Sequence, residues 1–153
     1  MPATVRRMRS EEAEAVEALF QEYMGIDTSR REAILENLGR EDSEILVAEA
    51  QGNVIGVGHQ VFYIDPLHAG KCSNILFLYV AKPFRRQGIG KSLLKRMLDS
   101  ATDRGVLEVH VSTRADNEAA IRLYKDSGFE HAGPLFEFNP SKQTEASFET
   151  VSA

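Results

Sequence analysis

Asn74-Ile-Leu-Phe-Leu-Tyr-Val-Ala-Lys-Pro-Phe-Arg-Arg-Gln-Gly-Ile-Gly-Lys-Ser-Leu-Leu94 is the stretch on which the fold of this chain turns. Asn74 to Val80 is a nearly continuous apolar run, rich in β-branched and aromatic residues, which predicts a buried strand. Pro83 ends it. From Gly88 to Thr102 the residues Ile89, Leu93, Leu94, Met97, Leu98 and Ala101 form one helical stripe, and Gly105 follows as a stop. Gly88 and Gly90 therefore stand where a strand turns into a helix. The first N–H groups of a helix have no acceptor within it, and the helix dipole adds partial positive charge there. Without side chains at Gly88 and Gly90, a phosphate can reach the backbone, and Arg85, Arg86 and Lys91 add full positive charges. The pattern is not a P-loop, because the glycine before Gly90 is only two residues back. It is not the G-x-G-x-x-G dinucleotide fingerprint either, because Leu93 holds the third glycine position.

Working outward, Val106 to Thr113 alternates, with Leu107, Val109, Val111 and Thr113 on one face and Glu108, His110 and Ser112 on the other. Asn117 is a helix cap, followed by Ala120, Ile121, Leu123 and Tyr124, and Gly128 closes that helix. Upstream, Thr4 to Met8 is a short strand, and Ser10 reads as the cap of a helix. The apolar face of that helix is Val16, Leu19, Phe20, Tyr23 and Met24, and it ends near Gly25. A second helix is expected from Ser29 to Leu38. Strands are expected from Glu44 to Ala50 and from Val54 to Tyr63, joined by the turn Gln51-Gly52-Asn53. Two further strands fit residues 129–138 and 146–151, joined through Asn139-Pro140. Strands alternating with helices predict an α/β layer packing around a mixed sheet.

The chain has 153 residues, which at roughly 150 per domain predicts a single domain over 1–153. At 42% hydrophobic and 27% charged it is of ordinary globular composition, which excludes collagen, wholesale disorder and a disulfide scaffold. The single cysteine, Cys72, cannot form an internal disulfide and suits a reducing compartment. No apolar run reaches the roughly 20 residues that span a bilayer, and acidic residues from Glu11 to Glu17 stand where a signal peptide is apolar. The expectation is a soluble, cytoplasmic protein without a membrane partner. A net charge of −5 argues against a nucleic-acid partner.

Arg85-Arg-Gln-Gly-Ile-Gly90 and Asn117-x-x-Ala120-x-x-x-Tyr124, followed by Gly128-Phe129, together resemble the GCN5-related N-acetyltransferase (GNAT) family. The first stretch matches the family's [Q/R]-x-x-G-x-[G/A] acyl-CoA signature at each fixed position. The resemblance covers Asn74 to Phe129 and implies a mixed, mostly antiparallel sheet of about six or seven strands. It implies about four flanking helices and a sheet splayed at the acyl-CoA site. It implies acetyl-CoA as acyl donor and no metal. The backbone amides of Gln87, Gly88, Ile89, Gly90 and Lys91, beside Ser92, would hold the pyrophosphate, with Arg85 and Arg86 alongside. The backbone of Leu78, Tyr79 and Val80 would pair with the pantetheine arm, and Asn117 would hydrogen-bond that arm. Tyr124 would protonate the departing thiolate.

The reaction so implied is attack of an amine on the thioester carbonyl. An alkylamine, with a pKa near 10.4 in water, must first lose a proton. Two positions where family members carry a glutamate hold other residues here, namely Leu76 or Phe77 on the strand and Ser112 five residues before Asn117. Of Glu108 and His110 on the Ser112 face, His110 is the preferred candidate base, because histidine titrates near neutrality. His59, His68 and His131 have no C-x-x-C or H-E-x-x-H partners, so no zinc site is expected. Asp27 and Asp65, in loops on the acceptor side, are candidates to meet a cationic amine. The reading is an N-acetyltransferase acting on a small-molecule or protein amine. The alternative is a non-catalytic acyl-CoA-binding or sensor module of the same fold. The terminal strand and the family resemblance lead to the expectation of a homodimer.

Overall fold

A computed structural model of the chain describes residues 2–142. Its five strands pair in chain order: β1 (Thr4–Arg7), β2 (Ser43–Ala50), β3 (Asn53–Asp65), β4 (Gly70–Val80) and β5 (Glu108–Val111). The first four run antiparallel and β5 lies parallel to β4. Parallel neighbours need a crossover connection, and α3 (Ile89–Asp103) provides it. The other helices are α1 (Ala13–Met24), α2 (Arg31–Leu38) and α4 (Glu118–Asp126).

The alternation of β2 divides the core in two. Ile45 and Val47 face α1 and α2, packing with Val16, Leu19 and Ile34. Leu46 and Ala48 face α3, packing with Leu93, Leu94 and Met97. Both faces of β2 are buried, which is why Ile45 to Ala48 is apolar without alternation. Each such leucine or methionine contributes about 1.5–3 kcal/mol by leaving water. α3 lies close to β3 because β3 carries glycine beneath it. A Cβ at Gly58 would stand 2.7 Å from Met97 Sδ, and one at Gly56 would stand 3.1 Å from Leu93 Cδ1. Below that contact, buried Gln60 donates to the Met97 carbonyl at 3.1 Å and accepts from the Ser73 hydroxyl at 2.9 Å.

Three expectations change. Residues 129–138 form no strand: Leu135 and Phe136 are 73% and 88% exposed, and among the described residues β5 is an edge of the sheet. Alternating apolar residues make a strand only against a partner ladder, and the four residues of β5 do not pair with this segment. The strand expected at 146–151 lies outside the described residues, so the described sheet has five strands rather than six or seven. Ser10 opens a 3₁₀ turn, Ser10–Glu12, instead of capping α1. The Glu12 carboxylate does the closing, accepting from the Arg9 amide at 2.7 Å and pairing with the Arg6 guanidinium at 2.8 Å.

Candidate active site

β4 and β5 are paired only from Cys72↔Glu108 to Ile75↔Val111. Beyond that point β5 has ended and β4 runs on to Val80 paired with β3 only. A bulge bends β4 where they part: His59 pairs with Phe77 and Gln60 with Ile75, leaving Leu76 unpaired and exposed. The peptide groups of β4 alternate between its two sides. The Ala81 amide donates to the Ile55 carbonyl at 2.8 Å, so Tyr79 and Phe77 turn their peptides toward β3. Those of Leu78 and Val80 turn into the gap. The Val80 carbonyl there accepts from Arg85 Nε at 3.0 Å, and the Arg85 guanidinium lies 5.0 Å from the Tyr79 ring centroid. Arg85 thus ties the turn before α3 to the end of β4.

α3 starts at the same end of the gap. Its N-cap, Gly88, has φ +78° and makes no side-chain cap bond, and the first helical amide bond is Ser92 to the Gly88 carbonyl at 3.0 Å. The amides of Ile89, Gly90 and Lys91 therefore lead the helix without intrahelical acceptors. Its first turn carries no acidic residue, and Arg85, Arg86, Gln87, Lys91 and Ser92 are exposed around it. A Cβ at Gly88 would have nothing within 4 Å, so the space over the helix end is open.

α4 forms the opposite wall. Asn117 Oδ1 accepts from the Ala120 amide at 3.1 Å, which leaves its amide nitrogen available to the cleft it lines. At the other end the helix closes with two reversed bonds: Phe129 donates to the Tyr124 carbonyl at 3.0 Å and Gly128 to the Lys125 carbonyl at 3.1 Å. Gly128 has φ +99°, which suits glycine. This closure sets the Phe129 ring edge-on to that of Tyr124, centroids 5.6 Å apart. The Gly-Phe pair after the helix therefore fixes the tyrosine. Burial, and then the neighbouring Tyr23, push the Tyr124 phenol above its ordinary value, so it keeps its proton at neutrality.

The resulting cleft has a volume of about 90 Å³ and is lined by Leu76, Leu78, Val111, Ser112, Asn117, Tyr124 and Tyr23, among others. Tyr23 was not anticipated as a site residue. It lies in the last turn of α1 and packs edge-on against Phe77 and Tyr79, at 5.2 and 5.5 Å between centroids. An aromatic with a polar tip in the last turn before Gly25 was the available signal.

His110 is not among the cleft's lining residues. It pairs with Asn74 one step before the strands part, and Glu108 Oε1 lies 2.6 Å from its Nε2. The Tyr63 hydroxyl lies 3.4 Å from its Nδ1. The other loop carboxylates are also engaged: Gln21 Nε2 donates to Asp27 at 3.0 Å, and Asp65 meets His68 and the Leu67 amide. Those contacts, His68 first, hold the Asp65 carboxyl below the usual carboxylate range. Cys72 is fully buried, and burial pushes its thiol up, which suits it poorly as an acyl acceptor.

Comparison with known proteins agrees with this geometry. The sequence model of the Acetyltransferase (GNAT) family matches residues 6–129, and the chain belongs to that family. It is 36% identical over 90 residues to N-acetyltransferase family 8 member 3 of Mus musculus, covering 59% of this chain and 40% of that protein. It is 34% identical over 90 residues to N-acetyltransferase 8 of Homo sapiens, with the same coverage. The match thus spans well under half the length of these relatives. Among solved structures, AAC(6')-Iy in complex with the bisubstrate analog CoA-S-monomethyl-acetylneamine superposes with a TM-score of 0.80 at 19% identity. That alignment covers 91% of this chain and 98% of the other. Ribosomal-protein-alanine N-acetyltransferase from Brucella melitensis biovar Abortus 2308 superposes with a TM-score of 0.74 at 18% identity, covering 90% and 98%. The fold is therefore the mixed α/β GNAT fold, with an open, mostly antiparallel sheet.

Proposed function

We propose that this protein moves the acetyl group of acetyl-CoA to a primary amine by direct attack in a ternary complex. The observation that carries the reading is the parting of β4 from β5, which turns the Leu78 peptide and the Tyr124 side chain into one cleft. The leading amides of α3, with Arg86 and Lys91 beside them, suit a pyrophosphate. The Leu78 peptide and the Val80 amide suit an extended amide-bearing arm lying along β4. The Tyr79 peptide faces β3, so that pairing falls to its two neighbours.

The chemistry forms one N–C bond and breaks one C–S bond. The Leu78 amide donates to the thioester oxygen as negative charge builds on it. Tyr124 donates its phenolic proton to the departing sulfur and recovers one from solvent. The amine gives its proton to water at the open mouth, with the His110–Glu108 pair on β5 as the receiving base. The acceptor is a small-molecule or protein amine, and Tyr23 borders its approach. The bisubstrate analogue held by AAC(6')-Iy supports joint binding of donor and acceptor in this fold.

A second reading, a non-catalytic acyl-CoA-binding module, is favoured by one observation: among the described residues, no carboxylate lines the cleft. Thiol release from acetyl-CoA against a panel of amines decides between them. Turnover with any amine supports the transferase; binding of acetyl-CoA without release under any of them supports the module. No helix among the described residues is long and apolar enough to cross a membrane. A cytoplasmic site of action fits the buried free thiol of Cys72. Exposed Leu135 and Phe136 support a homodimer, which light scattering at high micromolar concentration tests.

A further inference from the structure

The hairpin from β3 to β4 gathers three side chains of different donor chemistry. Asp65, His68 and Cys72 each present one ligand atom, and these atoms all lie within 4.8 Å of one another. We propose that Asp65, His68 and Cys72 form a binding site for a divalent transition-metal ion of the zinc class.

The donor set selects the ion. A sulfur, an imidazole nitrogen and a carboxylate oxygen suit Zn²⁺, whereas Mg²⁺ and Ca²⁺ take oxygen alone. The three groups are also aimed. Asp65 Oδ1 accepts from the Leu67 amide at 2.9 Å, which turns Oδ2 toward His68 Nδ1. The far nitrogen of that ring, Nε2, meets Glu108 Oε2 at 2.8 Å. A carboxylate behind the non-ligating nitrogen is the outer contact that fixes the ring of a metal-bound histidine. Cys72 is fully buried and pairs across the sheet with Glu108, the residue that also meets His68.

The distances are close to what coordination needs. Tetrahedral bonds of about 2.0–2.3 Å place ligand atoms roughly 3.3–3.6 Å apart, so Asp65 and His68, now in hydrogen-bond contact, part by about an ångström and Cys72 closes by a similar amount. On binding, the metal displaces the proton shared by Asp65 and His68 and the thiol proton of Cys72, both released to solvent. Water takes the fourth position. The spacing, Asp65-x-x-His68-x-x-x-Cys72, is none of the paired motifs by which zinc sites are recognised, and the site exists only once the hairpin has folded. None of the three ligands lines the acyl-transfer cleft, although Glu108 meets both His68 and His110, and metal binding does not require acyl transfer.

The test uses the full chain without an affinity tag, stripped with chelator and titrated with Co²⁺, then with Zn²⁺. One saturable Co²⁺ per chain is expected, with a near-ultraviolet thiolate-to-cobalt band that Zn²⁺ abolishes. Cys72→Ser should lose that band. His68→Gln, at a half-buried position that leaves the core intact, should bind Co²⁺ at least tenfold more weakly. His131→Gln, away from the cluster, should match the parent. Zn²⁺ should raise the melting temperature of the parent and not of His68→Gln. Absence of saturable binding at tens of micromolar metal, persistence of the band in Cys72→Ser, or unchanged affinity in His68→Gln would each overturn the site.

Discussion

Replacing Tyr124 by Phe removes one oxygen and keeps the ring that Phe129 packs against at 5.6 Å. Asn117 is held by its cap bond to Ala120 and the end of α4 by backbone bonds, and none of these uses the Tyr124 hydroxyl. The expected change in stability is therefore small, within about 0.5 kcal/mol, or a shift of roughly 1–2 °C in melting temperature for a chain of this size. The expected change in turnover is large. A positioned general acid is worth about 100- to 10,000-fold, equivalent to roughly 2.7–5.4 kcal/mol of barrier. Burial raises the phenol's pKa, so the acid form persists across neutral pH and the loss should be flat from pH 6 to 8. The assay is thiol release with a slow amine, so that chemistry limits the rate, alongside acetyl-CoA affinity by calorimetry. Wild-type turnover in Tyr124→Phe at unchanged affinity would refute the assignment and leave Tyr124 as a wall of the cleft.

Gly128→Ala places a Cβ at φ +99° and should cost roughly 1–2 kcal/mol, seen as a lower urea midpoint, with turnover falling because the Phe129–Tyr124 contact loosens. His110→Gln should move the acid limb of the pH–rate profile to higher pH without changing acetyl-CoA affinity; an unmoved profile removes His110 as base. His59, within hydrogen-bond distance of Ser43 at 2.9 Å, has its pKa lowered by burial. Its folded value lies below the unfolded one near 6.5, so the unfolded chain takes up more protons as pH falls through that range. Its contribution should destabilise the fold progressively below about pH 6.5 and level off below the folded pKa. The difference in unfolding free energy between wild type and His59→Gln, followed from pH 7.5 to 5, isolates that contribution.

The order of elements and both halves of the cleft were legible in the sequence because each carries its own local chemistry. The α3 stripe, the turn with Gly88 and Gly90, the Asn117 cap and the Gly128 stop are decided by residues within a turn or two. What escaped depends on pairing between distant segments. The apolar residues around Phe136 suggest a strand, but no partner for it stands among the described residues. Leu76 gave no sign that it occupies a bulge, since the register shift is set by β3 opposite it. His110 shares the face of Ser112 in the strand pattern, yet it sits before the gap and is held by Glu108. The convergence of Asp65, His68 and Cys72 with Glu108 needs the hairpin turn and the parallel pairing of β4 with β5 together.

Acetyl-CoA is expected to bind along the end of α3 and the open side of β4. Calorimetric titration of the wild-type chain with acetyl-CoA should then show one saturable site per chain, with a melting temperature that climbs with ligand occupancy. No heat and an unmoved melting temperature at millimolar acetyl-CoA would contradict it.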